Sequence, residues 1–326
     1  MPSRRHLLVG AAALAATSTG AAVGGRLWRR FAQPEAPVAV LRVSSYEEDL
    51  FRIIREGISL FPETLARVRG ARVLLKPNLV EVHPGRPIHT DPRVVLAAAE
   101  AMRALGAAEV IVGEAAGHHR DTEALLEASG LGPALRAARL PFVDLNIADS
   151  APLALRHDLT GLGALQLPKV VTGCDLLVSL PKMKTHHWVG ATLSLKNLFG
   201  VVPGLVYGWP KNVLHHAGID RSIVDLWTSL RPGFAIVDGV VGMEGDGPVM
   251  GAPVAAGVLV MGPQLPAVDA TAARVMGLDP HRMGYIEATG RLGGTVSAGR
   301  IAQRGEAPPA LAFAPPPTGA GAGHPG

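Results

Sequence analysis

The chain has almost no cysteine, few aromatic side chains and, outside its first residues, almost no net charge. Cys174 is the single cysteine among 326 residues. That excludes an intrachain disulfide, and it excludes an iron–sulfur cluster or structural zinc held by several cysteines of this chain. Standing just before an apolar run, Cys174 reads as a small buried residue. Aromatic residues make up only 4%, so a core must be built mainly from Ala, Val and Leu. The apolar content of 48% still suffices for one large or two smaller domains. The formal charge of +4 comes from the start of the chain: residues 1–33 carry five arginines and no acid, which leaves −1 for residues 34–326. A near-neutral body offers no electrostatic footprint for nucleic acid. Dinucleotide-binding, Walker, nucleophile-elbow and His-Glu-x-x-His motifs are also missing.

What is present begins with Arg4-Arg5, an Ala/Gly-rich apolar run to Gly25, and then Arg26-Leu-Trp-Arg-Arg30. A twin arginine before a mildly apolar stretch is the pattern of a Tat export signal. Residues 1–30 are therefore expected to be a Tat-type signal or a retained membrane anchor. The Tat translocase is a partner during export, and the membrane is met only through this segment. The expected destination is the periplasm or the outer face of the cytoplasmic membrane. Residues 31–37, with Pro34 and Pro37, read as a linker.

From residue 38 to 304, apolar runs alternate with helical periods. Strands are expected at 38–43, 71–75, 109–112, 141–145, 175–180, 233–238 and 255–261, with an edge segment near 152–168. Helices are expected at 46–61, 92–105, 122–129, 133–139, 220–230, 267–276 and 281–290. This alternation predicts an α/β fold: a mostly parallel or mixed sheet with helices on both faces. Residues 305–326 are rich in Pro, Ala and Gly and read as a disordered tail.

In open α/β sheets ligands bind beyond the carboxyl ends of strands, and four strand ends here deliver polar groups. Proline does not continue a central ladder, so Lys76-Pro77-Asn78 is expected to turn at the sheet edge. Gly113-Glu114 is followed by His118-His119, which reads as a polar loop with weak metal potential. Lys182, Lys184 and His186 alternate just after the strand 175–180, and an extended backbone points alternate residues to one side. Such a group of cations requires an anion, either a ligand or protein acids. Lys196 and Asn197 follow within a Gly-bounded segment that also holds Thr192 and Ser194. The last strand end runs from Asp238 through Glu244 and Asp246 in a Gly-rich loop, where three carboxylates can hold a metal or pair with the lysines. His186-His187 and His215-His216 add titratable groups.

These pieces resemble the domain of unknown function 362 family. The resemblance lies in Val73-Leu-Leu-Lys-Pro-Asn78, His89-Thr-Asp-Pro92, Ser179-Leu-Pro-Lys-Met-Lys-Thr-His186, Gly190 to Gly200, Asp238 to Pro248 and Ala267-Val-Asp269, and it covers roughly residues 38–290. It implies an α/β domain of poorly defined function. Many relatives carry a ferredoxin-like iron–sulfur module, and with one cysteine this chain carries over no such role. Where relatives show an Asp-Pro pair before Ala267, this chain has Gln264-Leu265-Pro266.

Two readings stay open. In the first, the protein is an exported cell-envelope enzyme acting on a small anionic substrate. His186, Lys184 and Glu244 are then the expected catalytic set, with His186 as general acid or base because an imidazole titrates near neutrality. Lys76, Asn78, Lys182, Lys196 and Asn197 would bind the substrate, and Asp238, Glu244 and Asp246 would hold a divalent metal. In the second, the protein is a non-catalytic ligand-binding or redox-accessory protein, and the lysines pair with the acidic loop.

Overall fold

A computed structural model describes residues 36–117 and 121–316. The expected leader, nearly all of the linker, His118, His119 and residues 317–326 lie outside the described residues. The strands are β1 Ala36–Arg42, β2 Arg72–Pro77, β3 Glu109–Glu114, β4 Phe142–Asp144, β5 Ser150–Ala154, β6 Ala164–Pro168, β7 Leu176–Leu180, β8 Lys182–His186, β9 Gly190–Thr192, β10 Phe234–Glu244, β11 Ala252–Val254, β12 Val258–Gly262 and β13 Ile301–Gly305. Eleven of them form one sheet along the path β13-β1-β12-β10-β7-β2-β3-β4, with β8, β9 and β11 attached beyond β10. The run β10-β7-β2-β3-β4 is parallel, whereas β12 is antiparallel to both β10 and β1. The fold is α/β with a mostly parallel, mixed sheet.

Strands buried on both faces explain the apolar runs. In β2, Leu74 joins one core layer while Val73 and Leu75 join the other. Helices Leu50–Ser59, Pro62–Val68, Pro92–Ala104 and Leu131–Ala137 cover the second layer. Helices Ile219–Leu230, Leu265–Val275 and Gly284–Arg291 cover the first. The helix Pro92–Ala104 shows why its ends were readable. Asp91 accepts the Arg93 N–H at 2.9 Å, proline occupies the first turn, and Gly106 follows with φ +95°.

Four expectations need correction. The helix expected at 46–61 starts at Leu50, and a second helix, Pro62–Val68, follows it. Strand β2 does not turn at Lys76-Pro77: Lys76 pairs with Ser179 and Pro77 with Leu180 of β7. The proline is tolerated because β3 stops pairing at Leu75, so no neighbour asks for its missing N–H. The edge segment is a separate antiparallel hairpin of β5 and β6. Part of the expected disordered tail docks on the body: Leu311 and Phe313 donate their N–H groups to the carbonyls of Val275 and Met276, and the Phe313 side chain is buried. Those carbonyls end a helix and lack intrahelical partners, so the tail completes the hydrogen bonding of the helix Leu265–Val275.

Candidate functional site

The Lys-x-Lys-x-His run is not a basic loop. It is β8, separated from β7 only by Pro181, and β7 and β8 both run parallel to β10. Lys182 lies opposite Asp238, and Lys184 opposite Met243, with a bulge in β10 between them. Bulges re-aim side chains, and the two lysines meet different surroundings. Lys182 Nζ contacts Asp238 Oδ2 at 2.5 Å and Tyr46 Oη at 2.8 Å. Asp238 also accepts Tyr46 O–H at 2.9 Å and the Asp91 N–H at 2.9 Å. Lys182 and Asp238 are thus a buried ion pair joining β8, β10 and the start of the helix Pro92–Ala104. The structure places Lys182 in this pair and Asp238 against its lysine, a tyrosine and a backbone amide.

Lys184 and His186 line a cavity of about 430 Å³ beyond the ends of β2, β3 and β8, a volume within the usual range for small-molecule sites. Asn78, Glu114, Lys196, Asn197, Lys211 and Asp246 share the lining. Glu244 does not. It ends β10, and its Oε2 accepts the Ala314 N–H from the tail at 2.9 Å. Gly245 at φ +73° turns the chain between Glu244 and Asp246, so the two carboxylates part. The loop then crosses β8, with Gly247 O accepting both the N–H and Nδ1–H of His187. Asp238, Glu244 and Asp246 therefore do not converge. Among the described residues no three His, Cys, Asp or Glu side chains are grouped as metal ligands.

Beneath the cavity lies a second buried pair. Lys76 Nζ is 2.6 Å from Glu114 Oε2 and donates to Asn197 Oδ1 at 3.0 Å and Pro77 O at 2.7 Å. Asn197 returns Nδ2–H bonds to Lys76 O and Ser179 Oγ. Burial pushes the Glu114 carboxyl up to about 7, against the pull of Lys76, and pulls the Lys76 amine down. Glu114 Oε2 also accepts the Leu79 N–H at 3.1 Å, whereas Oε1 takes no hydrogen bond among the described residues.

Gly200 is required by this pair. A Cβ there would collide with Glu114 Oε1 and Lys76 Nζ, and the Ala115 N–H to Gly200 O bond at 2.8 Å holds the backbone in place. Gly200→Ala is expected to lose about 1–3 kcal/mol, the usual penalty for overpacking. Urea unfolding of the purified variant checks this, and an unchanged midpoint would show that the pair can move aside.

The cavity's amines are short of acids. Lys184 Nζ donates to Ile88 O at 2.8 Å, and Lys211 Nζ to Asn146 Oδ1 at 2.6 Å. Lys196 Nζ lies 4.0 Å from the centre of the Phe199 ring. None of the three has an ion-pair partner among the described residues. Burial lowers Lys184 well below the ordinary lysine value, with Lys196 and Lys182 adding repulsion. Burial brings Lys196 and Lys211 each down to about 8.

His186 lies in the cavity wall. Burial, then the charge of Lys196, holds its ring well below the ordinary histidine value. Its Nδ1 accepts the Trp188 N–H at 3.1 Å, so the proton of the neutral ring sits on Nε2. In its neutral form His186 presents an Nε2–H donor. Lys211 and the acid–base character of Glu114 were not legible. Glu114 was visible only as a strand-end carboxylate, and Lys211 only as a lysine after Gly208-Trp-Pro210. Thiol reactivity at Cys174 is also opposed, because burial raises the thiol to about 11.

The chain belongs to the family described as Domain of unknown function (DUF362), whose model matches residues 73–274. A thylakoid-associated protein from Synechocystis sp. is 32% identical over 230 residues, 69% of this chain and 68% of that protein. Among solved structures, the lactate racemase apoprotein from Thermoanaerobacterium thermosaccharolyticum matches with 16% identity and a TM-score of 0.43, over 68% of this chain and 54% of that one. A crystal structure of a Thermotoga maritima protein matches with 14% identity and a TM-score of 0.36, over 65% of this chain and 55% of that one. The chain spans about half the length of each of these two structures.

Proposed function

We propose that this member of the family is an enzyme acting on a small anionic substrate held in the cavity. One observation carries the reading: Lys184, Lys196 and Lys211 line one cavity without an ion-paired carboxylate among the described residues. A buried ammonium without a counter-ion costs several kcal/mol. Burial lowers all three amines and so favours their neutral forms, and an anionic ligand against Lys184 and Lys211 favours the charged ones. Glu114, titrating near 7 in the same lining, is suited to giving and taking a proton at neutral pH. That favours an enzyme over a passive carrier. Asn78 and Asn197 supply the neighbouring polar groups. Export to the cell envelope belongs to the same proposal and is supported by Arg4-Arg5 before the apolar run.

Calorimetry with succinate and inorganic phosphate at pH 8 tests the reading. Binding is expected with net proton uptake, seen as a dependence of the heat on the buffer's ionisation enthalpy. Lys184→Met and Lys211→Met should each weaken binding about tenfold, the scale of one charge-assisted hydrogen bond. If neither anion binds, or if binding moves no protons, the reading fails.

A further inference from the structure

We infer that Lys196 is a covalent site, whose amine forms an imine with a carbonyl carried by the anionic substrate. The substrate class is then an oxo acid. This deepens the reading above and rests on it.

The four lysines around the cavity are not equivalent. Lys76 Nζ is saturated by Glu114, Asn197 and Pro77 O. Lys184 donates to Ile88 O, and Lys211 donates to Asn146 Oδ1 and Ala116 O at 3.3 Å. Lys184 and Lys211 are almost wholly buried, whereas Lys196 is only part-buried in the cavity wall. Its amine meets the Phe199 ring and accepts or donates no hydrogen bond among the described residues. Lysines become nucleophiles when desolvated beside other cations. Here the amine lies against the Phe199 ring in a wall shared with Lys184 and Lys211, and burial, then Lys76, lowers it.

The amine is also held in place. Lys196 sits in the single turn Ser194–Asn197. Asp269 accepts the Ser194 N–H at 2.8 Å and the Leu195 N–H at 2.9 Å, and Asn197 is bonded to Lys76 and Ser179. A reacting group on a pinned turn keeps its approach geometry. Lys184, His186 and Lys196 line the same cavity. A carboxylate next to the reacting carbonyl would meet Lys184, and the His186 Nε2–H would serve the carbonyl oxygen.

The step balances without an oxidant or other co-reactant. The neutral amine adds to the carbonyl carbon, so a C–N bond forms as the C=O π bond opens. The carbinolamine then loses its oxygen as water, which carries away both amine protons and leaves C=N. Substrate carbon and lysine nitrogen keep their oxidation states.

The full chain is treated with glyoxylate, pyruvate or phenylpyruvate, then with sodium borohydride, and examined by intact mass and peptide mapping. The expected result is one reduced adduct per chain on Lys196. In Lys196→Arg, which keeps a cation, the adduct should fall about tenfold or more. Circular dichroism and calorimetry on the same samples separate the two ideas. If the oxo acids bind but leave no adduct, or the adduct maps to other lysines, the imine is wrong and the anion reading stands. If no oxo acid binds and succinate and phosphate also fail, both fall. If succinate or phosphate binds but no oxo acid forms an adduct, the inference alone is overturned.

Discussion

Asp238→Asn is expected to destabilise the protein by about 3–5 kcal/mol, the penalty for stranding one member of a buried ion pair. Lys182 Nζ is 2.5 Å from Asp238 Oδ2, and neither side chain is more than 2% exposed. The carboxylate also accepts Tyr46 O–H and the Asp91 N–H. Asn at 238 removes the charge but keeps the size, which leaves the Lys182 ammonium buried without its counter-ion. Replacing both partners removes the unpaired charge, so Lys182→Met in the Asp238→Asn background should recover more than half of the loss. Urea unfolding of the two single variants and the double variant gives the coupling energy. The sequence also allowed Asp238 as a metal ligand. In that case Asp238→Asn would keep its unfolding midpoint and lose bound metal, and an unchanged midpoint would sink the structural role.

This pair shows which parts of the molecule were readable in advance. The parallel strands are continuous apolar runs because both faces are buried, so 109–112 and 175–180 stand out with their helical neighbours. Lysine ordinarily marks the solvated end of such a run. Lys76 and Lys182 break that rule because each has an acid supplied from elsewhere, Glu114 across 38 residues and Asp238 across 56. Nothing local in Lys-x-Lys-x-His announces that its first lysine is paired and its second is not. The acidic loop reads as one Gly-rich group of carboxylates, and its separation is set by the left-handed Gly245, with Glu244 on the tail and Asp246 in the cavity lining. Composition likewise hid the tail's packing, which depends on Leu311 and Phe313 meeting helix-end carbonyls rather than on the abundance of proline.

Asp269 carries the second large effect, and it is an effect of pH. This residue belongs to the family-like stretch Ala267-Val-Asp269, but its task was invisible until the fold placed it under the turn that bears Lys196. Its carboxyl is fully buried among Ser194 and Leu195 donors, with no ion-pair partner among the described residues. Burial raises it from the ordinary 3.8 to about 7, and the hydrogen bonds from Ser194 and Leu195 only partly oppose this. A carboxyl with a raised folded value favours folding while it is protonated in both states. That contribution is complete below about pH 4, declines as pH rises from about 4 to about 7, and is gone above. A tenfold change in proton affinity is about 1.4 kcal/mol, so the decline reaches about 4 kcal/mol. Asp269→Asn cannot titrate. Its amide presents N–H groups to the Leu195 N–H, which shifts its stability equally at every pH, so the slope is the test. Subtracting the unfolding free energies of the variant from those of wild type across pH 4–8 should give a difference that falls by this amount and then levels off. A flat difference would mean that Asp269 is ionised throughout and that the turn holding Lys196 rests on a charged cap.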